Sequence, residues 1–217
     1  MNARLTRPEN CAKGRVSKRN AITSAAADMF LSSGFAATSI EGVAERAGVS
    51  RQTVYNCFDS KDGLFIAICG ELVDEIIAPI ERAAQQQPDL RHSLVTIGET
   101  LLSAALRPKS LALYRLIVTE SARLPELGRA LYMRGPRRAM LELAAYFAAE
   151  VSRGRLQMPD AEAAAEQFLG MLNGHNQLRA LMGVATRPTA AKRREIAEGV
   201  ADTFLRAFVP AVATPPP

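Results

Sequence analysis

The twenty residues SIEGVAERAGVSRQTVYNCF, Ser39 to Phe58, have few ways to bury their apolar side chains. Ile40, Val43, Ala44 and Ala47 recur at the spacing of one helix face. Gly48 supplies the left-handed conformation that ends a helix, and Ser50 offers a cap for the next. In that next segment Val54 and Phe58 are four apart and share a face. Two short helices joined by so tight a turn cross steeply, with both apolar faces directed into one corner that Val49 fills. Ala44 and Ala47 are small enough for close crossing. The pattern is a helix-turn-helix whose second helix keeps Gln52, Thr53 and Asn56 on its free face, with Arg51 and Tyr55 along the edge.

Those residue types suit a DNA surface. Arg, Gln and Asn make bidentate contacts to base edges, Thr reaches a thymine methyl, and Tyr bonds a phosphate. The helix N-terminus at Ser50 directs backbone N–H groups at a phosphate. Lys61 falls in the first turn of the following helix, where a cation opposes the helix dipole. A bound phosphate would relieve that conflict. Six Lys and Arg against a single acid, Glu9, occupy the first twenty residues, so this segment carries the whole formal net charge of +5. A basic arm on a balanced body suits an anionic polymer, and also a solubilising tail.

The rest of the chain reads as helical throughout. Leu, Ala, Met and Ile dominate its 217 residues, Trp is absent, and no alternating β-branched run occurs. The spacing predicts an arm over 1–16. A first helix follows from Ser17, with Ile22, Ala25, Ala26, Met29 and Phe30 on one face and Gly34 at its end. A helix from Lys61 is apolar on more than one side, Leu72 and Ile76 included, and Pro79 is expected to kink or break it. Gly63 reads as a tolerated first-turn glycine. Further helices are expected over about 89–106, 110–122, 125–153, 160–182 and 189–208, with Pro136 splitting or bending the longest and a frayed tail over 211–217. The expected fold is all-α with about nine helices: a helix-turn-helix domain over 17–62 and a helical bundle over 63–210.

At residues 17–66 the sequence resembles the DNA-binding domain of the tetracycline-repressor (TetR) family. "FLSSGFAATSIEGVAERAGVS" ends the first helix and spans the second, and Thr53, Val54, Tyr55, Phe58, Ser60, Lys61 and Leu64 fit the motif T-[LV]-Y-x-x-F-x-S-K-x-x-L. The resemblance implies phosphate contacts from Thr38, Tyr55 and Lys61 and base contacts from the third helix. With the helix-capping serines included, the DNA-facing candidates are Thr38, Ser39, Ser50, Arg51, Gln52, Thr53, Tyr55, Asn56 and Lys61. Cys57 stands where His or Tyr is usual, and Gly63 where a better helix former is usual. "LYRLIVTESARLPELGRALYMRGPRRAMLELAAYFAAEVSRGRL" and "AAEQFLGML" are similar to the AefR-type regulatory domains of the same family.

That resemblance implies a homodimer formed through the last two long helices, with Phe168, Met171, Leu172, Leu178, Ile196, Val200, Phe204 and Phe208 at the interface. The same side chains suit a protomer's own core. It also implies an apolar or amphipathic small-molecule effector, for which Cys69, Tyr114, Tyr132, Met133, Tyr146 and Met171 are candidate lining residues as well as candidate core. His175 and Glu120 read as satisfied core polar groups. The expected function is a dimeric regulator of near-palindromic operator DNA, most often a repressor in this family. The alternative is a small-molecule-binding protein or enzyme with a vestigial helix-turn-helix. Catalytic motifs, metal-ligand spacings and cofactor loops are not found, and three unpatterned cysteines fit a reducing cytosol. No apolar run approaches the ~18 residues of a membrane span.

Overall fold

The computed structural model describes residues 8–86, 89–184 and 187–210, with side chains described from residue 16 onward, Leu72, Glu75 and Ile76 excepted. The first seven residues of the expected arm, the tail over 211–217, and the Leu72 and Ile76 side chains lie outside the described residues. Among those described, ten helices and no strand are present: α1 (Pro8–Ala37), α2 (Ile40–Ala47), α3 (Arg51–Phe58), α4 (Lys61–Gln86), α5 (Leu90–Ala105), α6 (Pro108–Ser121), α7 (Pro125–Arg134), α8 (Pro136–Ser152), α9 (Ala161–Leu181) and α10 (Ala190–Phe208).

Residues 8–16 of the expected arm are helical. They belong to α1, so Ser17 lies inside that helix and does not cap it. No proline interrupts the chain between Pro8 and Gly34. Gly34 has non-helical dihedrals, φ 83° and ψ 166°, and turns the chain as expected. Pro136 separates α7 from α8, which accounts for ten helices instead of about nine. Pro79 does not end α4, which runs unbroken from Lys61 to Gln86. A single missing N–H is outweighed there by burial of Val73, Ile77 and Ile80.

The chain divides into two compact units: one running to Gly70 and taking in Leu116–Leu131, the other comprising Glu71–Arg115 and the chain from Tyr132 onward. The division falls inside α4, whereas the capping pattern places it at residue 62. In the first unit Ile22, Ala26 and Phe30 of α1 are fully buried, as are Val43 of α2 and Val54 of α3. The rings of Phe30, Phe35 and Phe65 pack mutually at centroid distances of 5.0–5.5 Å.

In the second unit, Phe147 of α8, Phe168 of α9 and Phe204 of α10 form an aromatic cluster, with Phe204 4.7 Å from Phe147 and 5.3 Å from Phe168. Phe208 extends it, 4.6 Å from Phe204. Arg91 of α5 clasps Asp202 of α10 through two hydrogen bonds of 2.6 and 3.0 Å. Arg115 of α6 donates to the Ala180 and Leu181 carbonyls at the end of α9, where a cation is favoured.

This packing places most of the candidate interface side chains in the protomer's own core. Phe168, Leu172, Val200 and Phe204 are buried in the protomer's own core, and Ile196 and Phe208 are half-buried against it. Only Met171 and Leu178 of that set stay open, 39% and 50% exposed, together with Met182 beyond them. Helix periodicity marks a residue as apolar-facing but does not say which apolar neighbour it meets.

The candidate effector residues differ in burial. Tyr114, Tyr132, Met133 and Met171 are exposed, whereas Cys69 and Tyr146 are buried. Burial pushes the Cys69 thiol up to about 12, so it is a neutral core group and not a reactive thiolate. His175, expected in the core, is exposed on α9. Glu120 is buried as expected, with Arg123 3.8 Å from its carboxylate. Glu150, unnoticed in the sequence, is fully buried on α8 and ion-paired to Arg155 and to Arg153 at 2.7 Å. The nearby run of three charges in EVSRGR is the signal that marks it.

Gly63 is required rather than tolerated. A Cβ there would run into the Phe58 carbonyl oxygen, a backbone atom that cannot swing aside. Helix propensity alone makes Ala better than Gly by about 1 kcal/mol. We expect Gly63→Ala nonetheless to destabilise by about 1–3 kcal/mol, the usual cost of overpacking. Thermal unfolding checks this, and a raised melting temperature contradicts it.

Candidate nucleic-acid interface

Helix α2 is capped by Ser39, whose Oγ accepts from the Gly42 N–H at 3.1 Å. It ends at Gly48, left-handed at φ 64° and ψ 35°. The Gly48 and Val49 N–H groups close back onto the Glu45 and Ala44 carbonyls at 3.1 and 3.0 Å. This conformation costs a side-chain-bearing residue more than glycine, so the turn stays tight. Ser50 caps α3, its Oγ accepting from the Thr53 N–H at 3.1 Å. Val54 and Phe58 anchor α3 inward, both buried.

The opposite side of α3 is open and internally paired. Arg51, Gln52 and Asn56 are exposed, and Thr53 and Tyr55 half-exposed. Gln52 Nε2 donates to Asn56 Oδ1 at 2.9 Å, which holds both amides side by side. Thr53 Oγ1 lies 2.8 Å from Ser50 Oγ. Arg51 reaches back to Glu41 of α2, 2.9 Å away, and its guanidinium sits over the Tyr55 ring at 5.4 Å. Tyr55 and then Glu41 raise the Arg51 pKa, so this group stays charged. None of the five side chains Arg51, Gln52, Thr53, Tyr55 and Asn56 is buried, whereas Val54 and Phe58 on the same helix are.

Two expected phosphate contacts are otherwise engaged. Thr38 is 2% exposed and its hydroxyl donates to the Gly34 carbonyl at 2.8 Å. Lys61 Nζ donates to the Phe35, Ala36 and Thr38 carbonyls at 3.0, 3.4 and 3.1 Å, and lies over the Phe35 ring. An ammonium has three donors, and these three acceptors match them. The Lys61 ammonium at the start of α4 is thus met by the Phe35 and Ala36 carbonyls in the last residues of α1, after the Gly34 bend, and by the Thr38 carbonyl just beyond. Arg19, grouped with the basic arm, acts likewise: it donates to the Cys57 carbonyl at 3.2 Å and stacks on Phe58 at 4.4 Å. No local sequence rule marks Glu41 as the partner of Arg51. Its partner is ten residues away across a turn, beyond any helical spacing rule.

Residues 22–68 match the family described as bacterial regulatory proteins, tetR family. Residues 92–210, more than half of the chain, match the AefR-like transcriptional repressor, C-terminal domain. The chain belongs to the TetR family. Within it, the chain is 42% identical over 64 residues to the HTH-type transcriptional regulator RutR of Escherichia coli K12, a match covering 30% of either protein. It is 31% identical over 80 residues to the transcriptional activator FasR of Mycolicibacterium smegmatis, covering 37% of this chain and 36% of FasR. The match thus spans about a third of the length of these curated relatives.

Likeness to solved TetR-family structures is broader. A regulator from Mesorhizobium loti MAFF303099 superposes with a TM-score of 0.78 at 29% identity, over 90% of this chain and 98% of that one. The flavonoid-responsive regulator FrrA gives 0.68 at 30% identity, with the same coverage. Among the described residues of this TetR-family chain, no helix is long and apolar enough to cross a membrane, and no cluster of three metal-ligating side chains occurs.

Proposed function

We propose that this TetR-family chain is a dimeric, sequence-specific regulator of transcription that reads a near-palindromic operator with α3 and acts as a repressor released by a small apolar or amphipathic effector. The observation that carries this reading is the open face of α3. Arg51, Gln52 and Asn56 stand clear of a helix anchored through Val54 and Phe58. An anchored helix with bidentate side chains on its free face suits the major groove. Met171 and Leu178 on α9, with Met182 just past its end, supply exposed apolar surface for a second copy. A dimer then presents two copies of α3, which a palindrome requires to lie about 34 Å apart.

Selection of duplexes from a randomised pool by the full-length protein tests the proposal and yields the operator. Gln52→Ala and Asn56→Ala are each expected to weaken operator binding by about 1–3 kcal/mol and to relax base preference at one position per half-site. Unchanged preference in both variants removes these residues from base readout. The name of FrrA makes flavonoids a first effector class to test, by thermal shift and by release from the selected duplex.

A further inference from the structure

We infer that Glu41 is a specificity-determining residue of the DNA-reading face, acting through Arg51. This rests on the reading of α3 as the DNA interface. Helix α3, RQTVYNCF, holds one cation and no acid. That cation, Arg51, is held from two sides: by the Glu41 carboxylate 2.9 Å away in the first turn of α2, and by the Tyr55 ring beneath it. Both charged side chains are more than half exposed, so neither is buried for the sake of stability. Arg46, the remaining arginine of the α2–α3 pair, is 3.6 Å from Asp28.

The pairing has two consequences. A guanidinium carries five N–H donors, and one carboxylate leaves most of them free. With its rotamer restrained, Arg51 can present its unpaired edge to two coplanar acceptors on a guanine at little ordering cost. Balanced by Glu41, the same guanidinium is a poor partner for an arbitrary phosphate, where the attraction depends on net charge. A repulsive element that suppresses wrong partners while orienting the right contact raises discrimination without raising affinity. Glu41 is thus a positioning residue that turns Arg51 from a general phosphate contact into a base reader.

The test uses the full-length wild type with Glu41→Gln, Arg51→Gln and the double variant. Each is measured for affinity to poly(dI-dC) and for the sequence it selects from a randomised duplex pool. Glu41→Gln is expected to bind poly(dI-dC) roughly 2- to 5-fold more tightly per protomer, the scale of one exposed ion pair. Its selected sequence is expected to lose preference at one position in each half-site. Both changes should vanish in the Arg51→Gln background. Identical affinity and selected sequence in wild type and Glu41→Gln overturn the inference. So does a change that persists without Arg51, which would reflect bulk charge alone. A lower melting temperature with an unchanged selected sequence also overturns it, by reducing Glu41 to a stabiliser of the α2 N-terminus. Failure of the underlying reading looks different: the wild type itself would enrich no sequence and show no salt-dependent binding to any duplex.

Discussion

Phe204→Ala is expected to lower unfolding stability by about 3–5 kcal/mol, the range for truncating a buried Phe. The ring is 1% exposed and packs against Phe147, Phe168 and Phe208 at centroid distances of 4.6–5.3 Å. Its removal takes away transfer free energy and ring–ring contacts, and it leaves a cavity among helices α8, α9 and α10 that rigid neighbours cannot fill. Leu178→Asp is the matched control. Leu178 is half exposed, so the substitution should leave protomer stability within about 0.5 kcal/mol while converting dimer to monomer. Urea unfolding and light scattering on both variants check the pair. If Phe204→Ala only dissociates a dimer and leaves the protomer stable, the assignment of Phe204 to the core is wrong.

The second large effect is at Lys61. Lys61→Met keeps most of the aliphatic stem but removes all three donors. The Phe35, Ala36 and Thr38 carbonyls then lose a charged partner, at an expected cost of about 2–3 kcal/mol for a half-exposed group. The melting temperature of the DNA-free protein should fall accordingly. Well below that temperature, the salt dependence of duplex binding should be unaltered. A phosphate contact predicts the reverse pattern: unchanged stability, and a slope of log affinity against log salt reduced by about 0.9 per protomer. The two measurements together decide between an internal clasp and a DNA contact.

The open polar face of α3 was legible in the sequence because it is local. Arg51, Gln52, Thr53, Tyr55 and Asn56 sit on a single helix whose phase is set by Val54 and Phe58, and one helical period orders all of them. The side chains that proved otherwise engaged depend on distant partners. Lys61 is bound to carbonyls 23–26 residues away. Arg19 is bound to one 38 residues away. A basic residue near a DNA-binding motif looks the same in sequence whether it faces phosphate or a helix end. Thr38 points inward because the bend at Gly34 brings a carbonyl within reach of its hydroxyl.

By itself the sequence determined that the chain is helical, where most helices stop, and which face of α3 is free. These follow from interactions within four residues: apolar spacing, serine caps, glycine ends and proline breaks. Only the tertiary structure decided which apolar stripe of α9 and α10 is core, that Gly63 must lack a Cβ, and that Glu41 restrains Arg51. Those outcomes rest on contacts between elements. The same apolar or charged residue satisfies a local rule equally well whichever neighbour the fold supplies.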